Sequence, residues 1–205
     1  MPSATDHSAN GGRLGWMLPH FFLGAISVPL LAAFWVEFIW QEAPCTLCLL
    51  QRMCMLLAGM GPLWILSQQA DPSRVAPLAP LAPLAPLAPL ALWSRGFGIS
   101  VLAGALGLSI ALRQILLHIL PDDPGFGSSI LGYHLYSWAF GIFVLVLLCS
   151  GGCLLFAQTL APATVGKKSK ITWATIGLFG ALIFANTLVV SYKAMAAGLA
   201  AGDLQ

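Results

Sequence analysis

Five apolar stretches, each about as long as a membrane is thick, dominate this chain. They run approximately Trp16–Ile39, Leu47–Leu66, Phe97–Leu117, Tyr133–Ala157 and Ile171–Tyr192. A helix rises about 1.5 Å per residue, so about 20 apolar residues cross a hydrocarbon core of about 30 Å. Inside hydrocarbon every backbone N–H and C=O needs a partner, and a helix supplies all of them within one segment. The pattern predicts an all-α, polytopic membrane helix bundle. Composition closes off the alternatives. Only 8% of residues are charged, against roughly 25% in a soluble domain, so a water-facing surface cannot be solvated. With 59% hydrophobic residues the chain is not disordered. Its 9 Lys and Arg are dispersed and form no basic patch, so no nucleic-acid partner is expected.

Residues 1–15 are polar and read as a disordered cytoplasmic tail, residues 16–157 as a four-helix membrane domain, and residues 158–205 as a basic loop followed by a fifth membrane helix. The first stretch is too long for a signal-peptide core and lacks a small-residue cleavage site before Trp40-Gln41-Glu42. Lys and Arg are retained on the cytoplasmic side. Placing the amino terminus inside puts Arg13, Arg74, Arg95, Lys167, Lys168 and Lys170 in the cytoplasm and leaves Lys193, Arg52 and Arg113 towards the outside. That arrangement directs the carboxyl terminus outward. The connections Trp40–Thr46 and His118–Gly132 then face outward too.

One segment is low in complexity. Ala76–Ala91 carries proline at every third residue from Pro77 to Pro89. Proline at that period does not support an α-helix. Polyproline II, with three residues per turn, would align Leu78, Leu81, Leu84, Leu87 and Leu90 on one edge. The strip reads either as a partner-docking edge or as a cytoplasmic spacer.

Of the five cysteines, Cys45 and Cys48 form a C-x-x-C where the first outer connection enters the second helix. A helix amino terminus favours the thiolate of the first cysteine, and Pro44 restricts the backbone before it. The spacing suits a redox disulfide. A static disulfide and half of a zinc site are the alternatives, although no second ligand pair completes a zinc site. Arg52 lies four residues beyond Cys48, about one turn deeper. An arginine inside a membrane helix is costly and marks a functional position unless it snorkels to the headgroups. Its cation can stabilise a thiolate or the negative charge on a reduced quinone oxygen, and Gln51 adds a hydrogen-bond donor beside it.

The run Pro44-Cys45-Thr46-Leu47-Cys48-Leu49-Leu50-Gln51-Arg52 resembles the P-C-x-L-C-x-x-Q-R signature of the disulfide-bond-formation protein B (DsbB) family. Arg113-Gln114, with Leu117 and Leu120-Pro121, is similar to the family's R-Q-x-x-L-Q-x-L-P, with His118 where Gln is frequent. The resemblance covers roughly Trp16–Ala157 without the proline repeat. It implies a DsbB-like four-helix core in the bacterial inner membrane, here with a fifth helix added. It also implies electron transfer from a periplasmic thioredoxin-fold, DsbA-like protein to ubiquinone or menaquinone. On this resemblance Cys45 and Cys48 are the catalytic pair, with Cys48 next to the quinone. Arg52 holds the quinone with Gln51 beside it, and Gln114 and His118 are further candidates for contact.

Two features depart from the family. The second outer loop, Pro121–Ile130, contains no cysteine, so the pair that meets the partner in other members is absent. Any dithiol donor must therefore reach Cys45 directly, through a loop whose glycines and serines leave the site open. The fifth helix is the other departure. Cys149 and Cys153 share a face of the fourth helix near its cytoplasmic end and read as buried structural thiols, with Gly151 and Gly152 marking close helix packing. Cys54 reads as core. Among the histidines, His118 and His134 flank the second outer loop and read as interfacial side chains, with quinone contact or haem ligation as alternatives. Glu37, near the outer end of the first helix, reads as reaching water or accepting a proton. The competing reading of the whole chain is a non-enzymatic subunit of a larger membrane complex, with the C-x-x-C as a structural disulfide.

Overall fold

The computed structural model describes residues 4–42, 44–68, 87–120, 125, 127, 129–161 and 169–202. Its elements are α1 (Ala4–Ile39), α2 (Thr46–Gln68), α3 (Leu87–Leu117), a minimal hairpin of β1 (Ser129–Ile130) and β2 (Tyr133–His134), α4 (Leu135–Leu155), the single turn α5 (Ala157–Leu160) and α6 (Lys170–Gly202). Five of these helices, α1, α2, α3, α4 and α6, are long and apolar enough to cross a membrane. The protein is thus an all-α polytopic bundle.

Two boundaries differ from the sequence reading. The backbone is already helical from Ala4, where a disordered tail was expected. Extending a helix by one residue is cheap once its first turn exists, and the long apolar span supplies that nucleus. Helix α3 starts at Leu87, inside the proline repeat, with Pro89 in its first turn. Proline is tolerated there because the first-turn N–H groups have no intrahelical partner. Residues 76–86 of the repeat lie outside the described residues.

Helix α2 is the centre of the bundle and packs against α3, α1 and α6. Glycines allow the close approaches. A side chain at Gly61 would collide with the Gly96 carbonyl of α3, one at Gly59 with the Phe179 ring of α6, and one at Gly107 with the Phe143 ring of α4. Small residues of this kind let membrane helices reach van der Waals contact where no hydrophobic force drives them together. Hydrogen bonds fasten the same interfaces. Ser100 Oγ donates to the Ala58 carbonyl at 2.6 Å and Trp93 Nε1 to the Cys153 carbonyl at 2.8 Å. Gly151 and Gly152, by contrast, have open space where a side chain would go, so they mark no helix contact.

Helix α6 lies against α1 and α2. It runs parallel to α1, because two polar ties join the pair in the same order. At one end His20 Nε2 meets Thr172 Oγ1 at 3.2 Å, and at the other Lys193 Nζ meets Glu37 Oε1 at 2.7 Å. At about 1.5 Å per residue the ties stand about 26 Å apart along α1 and about 32 Å along α6, the depth of a bilayer core. Thr172, Phe179 and Asn186 are buried and recur every seven residues, with Lys193 seven further on, so one stripe of α6 faces the bundle.

Candidate redox site

Cys45 stands immediately before α2 and caps it. Its carbonyl accepts the Leu49 amide at 3.1 Å, the first bond of the helix, and its Sγ accepts the Cys48 amide at 3.1 Å. A helix start has four N–H groups without intrahelical partners, and a cap side chain normally takes one of them. Here a sulfur does so, and the partner residue is the other half of the pair. Cys45 and Cys48 are joined as a disulfide, with Cα atoms 5.1 Å apart.

Gln114, near the end of α3, is buried against the two sulfurs. Its Nε2 donates to Cys45 Sγ at 3.4 Å and Cys48 Sγ at 3.5 Å, and its Oε1 accepts from Gln51 Nε2 at 2.9 Å. The two glutamines therefore hold each other and aim one amide at the disulfide. A buried amide left unpaired would cost about 1–3 kcal/mol, which keeps this arrangement in register.

One turn below, Arg52 is only 5% exposed. Its Nη1 donates to Glu37 Oε2 at 2.8 Å and its Nη2 to the Ala33 carbonyl at 3.4 Å. The Phe34 ring centroid lies 4.8 Å from its guanidinium carbon, close enough for cation–π attraction. Arg52 Nε is buried with no hydrogen-bond partner among the described residues. Arg52 is therefore part of the bundle interior and does not snorkel. Glu37 is likewise held inside the bundle, with Arg52 and Lys193 each taking one carboxylate oxygen.

A cavity of about 470 Å³ opens beside these groups between α1, α2 and α4. Cys48, Gln51, Arg52, Glu37 and Glu42 supply its polar wall, and Val28, Leu30, Met55, Tyr136 and Trp138 are among its apolar side chains. Cys45 is not on that wall. Gly127, Ile130 and Leu131 of the second loop also border the cavity, and Trp138 Nε1 donates to the Ile130 carbonyl at 3.1 Å. At these residues the loop is folded over the site, where the sequence suggested an open, flexible segment.

A protein-family model described as "Disulfide bond formation protein DsbB" matches residues 16–129, more than half of the chain. The chain belongs to the DsbB family. No curated protein and no solved structure matches it. As a family member it is a multi-pass membrane protein of disulfide-bond formation, and it carries the Cys45–Cys48 disulfide. The match ends before α4, so the Tyr136 wall and the whole of α6 in this DsbB-family protein lie beyond it.

The remaining expected residues fall elsewhere. His118 and His134 both stack on Tyr136, with ring centroids 5.6 Å and 5.3 Å away, and neither borders the cavity. Cys153 and Cys54 are buried as expected, but Cys149 is exposed, on the side of α4 that also exposes Leu145 and Leu148. Lys193 was read only as a topological marker. Its place in the stripe with Thr172 and Asn186 is the signal that would have singled it out, since polar residues on one face of a membrane helix point to the bundle interior.

Proposed function

We propose that this protein is a quinone-linked thiol:disulfide oxidoreductase that oxidises a periplasmic, DsbA-like thioredoxin-fold dithiol. The observation that carries the reading is the cavity whose wall Cys48 and Arg52 share. A mostly apolar cavity with a few convergent polar groups is the usual form of a small-molecule site. A planar quinone fits that chemistry, with Arg52, Gln51 and Cys48 as the residues that would hold it. Gln114 would serve from the far side of the sulfurs and His118 through Tyr136.

A partner thiolate attacks Cys45 Sγ, which lies at the mouth of α2, and Cys48 leaves as the thiolate. A second partner thiolate resolves the mixed disulfide and releases Cys45, so the partner is oxidised and Cys45 and Cys48 are reduced. The Cys48 amide and Gln114 Nε2 stabilise the charge on the sulfurs during this exchange, and Arg52 stabilises charge on the cavity side. A ubiquinone or menaquinone held by Arg52, Gln51 and Cys48 would supply the acceptor for the two electrons and two protons that the reduced pair gives up as the disulfide re-forms. Exchange is direct, because loop 121–132 carries no cysteine to relay it. The amino terminus lies in the cytoplasm and the carboxyl terminus in the periplasm, following the Lys and Arg distribution across a bacterial inner membrane.

Purified protein mixed with a reduced thioredoxin-fold dithiol and short-chain ubiquinone should bleach the quinone absorbance, one quinone per dithiol oxidised. No dithiol-dependent bleaching would leave the second reading, a non-enzymatic subunit with a structural disulfide, which the cysteine-free loop favours.

A further inference from the structure

The fifth helix reaches the site through Lys193. Lys193 Nζ lies 2.7 Å from Glu37 Oε1, and Arg52 Nη1 lies 2.8 Å from the other oxygen of the same carboxylate. The three groups form a line in which the carboxylate sits between two cations. Glu37 and Arg52 are about as buried as the hydrophobic core, while the Lys193 side chain is 33% exposed.

Charge counting gives this line a consequence. Arg52 with Glu37 alone is neutral, so the pair offers no net positive charge to a Cys48 thiolate or to negative charge arising on a ligand in the cavity they border. Lys193 adds one positive charge and leaves the three groups net positive. A carboxylate shared with a second cation also holds Arg52 less completely. In a low-dielectric setting a single charge at this range changes such an equilibrium by roughly tenfold.

We propose that Lys193 is a positioning residue of the redox site: it neutralises Glu37 so that the Arg52 cation serves the Cys48 thiolate and the bound quinone. Its effect on the ligand rests on the quinone reading above, whereas its effect on the thiolate does not. The fifth helix, which the family match does not include, is on this account a working part of the site.

The test uses full-length protein carrying Lys193→Met, Lys193→Arg, or Lys193→Met with Glu37→Gln. Lys193→Met should lower kcat/KM for short-chain ubiquinone roughly tenfold. Lys193→Arg should restore it, and the double variant should recover most of the loss, because it removes the charge that Lys193 opposes. Wild-type kinetics in Lys193→Met would overturn the proposal. So would a double variant that stays as slow as Lys193→Met while both melt like the wild type, since Lys193 would then only dock α6. A second measurement needs neither quinone nor the double variant. In quinone-depleted Cys45→Ser protein, adding Lys193→Met should slow alkylation of Cys48 by iodoacetamide at neutral pH roughly tenfold. An unchanged alkylation rate would also overturn the proposal. If the wild type reduces no quinone but the alkylation rate falls, the quinone reading fails and the role of Lys193 stands.

Discussion

Two cysteine pairs sit near opposite ends of this bundle at nearly the same spacing, and only one is joined as a disulfide. Cys45 and Cys48 straddle a helix start, so Cys45 is free of helical geometry and its sulfur can turn back onto Cys48. Cys149 and Cys153 both lie within α4, where the helix holds residues four apart about 5–6 Å apart at Cβ, too far for a disulfide. The surroundings differ as sharply. The first pair is hydrogen-bonded by Gln114, and its Cys48 shares a cavity wall with Arg52, whereas the second borders a groove lined by Phe21, Phe22, Leu145 and Phe156 with no charged side chain. The disulfide here comes from the geometry of the helix end, and spacing alone does not supply it.

That contrast can be broken most directly at the sulfurs themselves. Cys48→Ser should abolish dithiol-dependent quinone reduction, while a Cys149→Ser and Cys153→Ser double variant should keep the wild-type rate. Loss of activity in the latter would mean that the α4 pair participates after all.

Arg52 sharpens the comparison next. Arg52→Leu should still insert and fold, because Lys193 retains Glu37 and the change removes a charge that is costly in the membrane. Its KM for quinone should rise about tenfold or more, the loss of roughly one charge-assisted hydrogen bond of about 1.5–3 kcal/mol. An active variant with an unchanged KM would remove Arg52 from the quinone site.

The smallest effect belongs to Gln114. Gln114→Leu deletes two long hydrogen bonds to sulfur, 3.4 Å and 3.5 Å, and leaves Gln51 to turn to the cavity. Stopped-flow measurement of the dithiol exchange step should show about a threefold slowing, with quinone KM little changed. A rise in quinone KM larger than the loss in exchange would place Gln114 with the ligand instead of with the disulfide.

Much of this was legible in the chain itself. Apolar runs of membrane length determine five spanning helices, because unsatisfied backbone groups are too costly in hydrocarbon for any other continuous structure. Pro44, Cys45 and Cys48 determine a disulfide at a capped helix start, because capping is a local interaction that needs only neighbouring residues. The dipeptide Gln51-Arg52 marked the depth of the site for the same local reason. What lay between distant segments could not be read this way. That Glu37, Arg52 and Lys193 share one carboxylate depends on α1, α2 and α6 lying side by side, and this in turn depends on Phe179 seating over Gly59. That Gln114 faces the sulfurs and His118 faces Tyr136 depends on how α3 is rotated against α2 and α4. Helix formation is decided within a few turns of chain, so sequence suffices for it. Which faces meet is decided by packing among helices that are all apolar, and only the tertiary structure selects one arrangement among them.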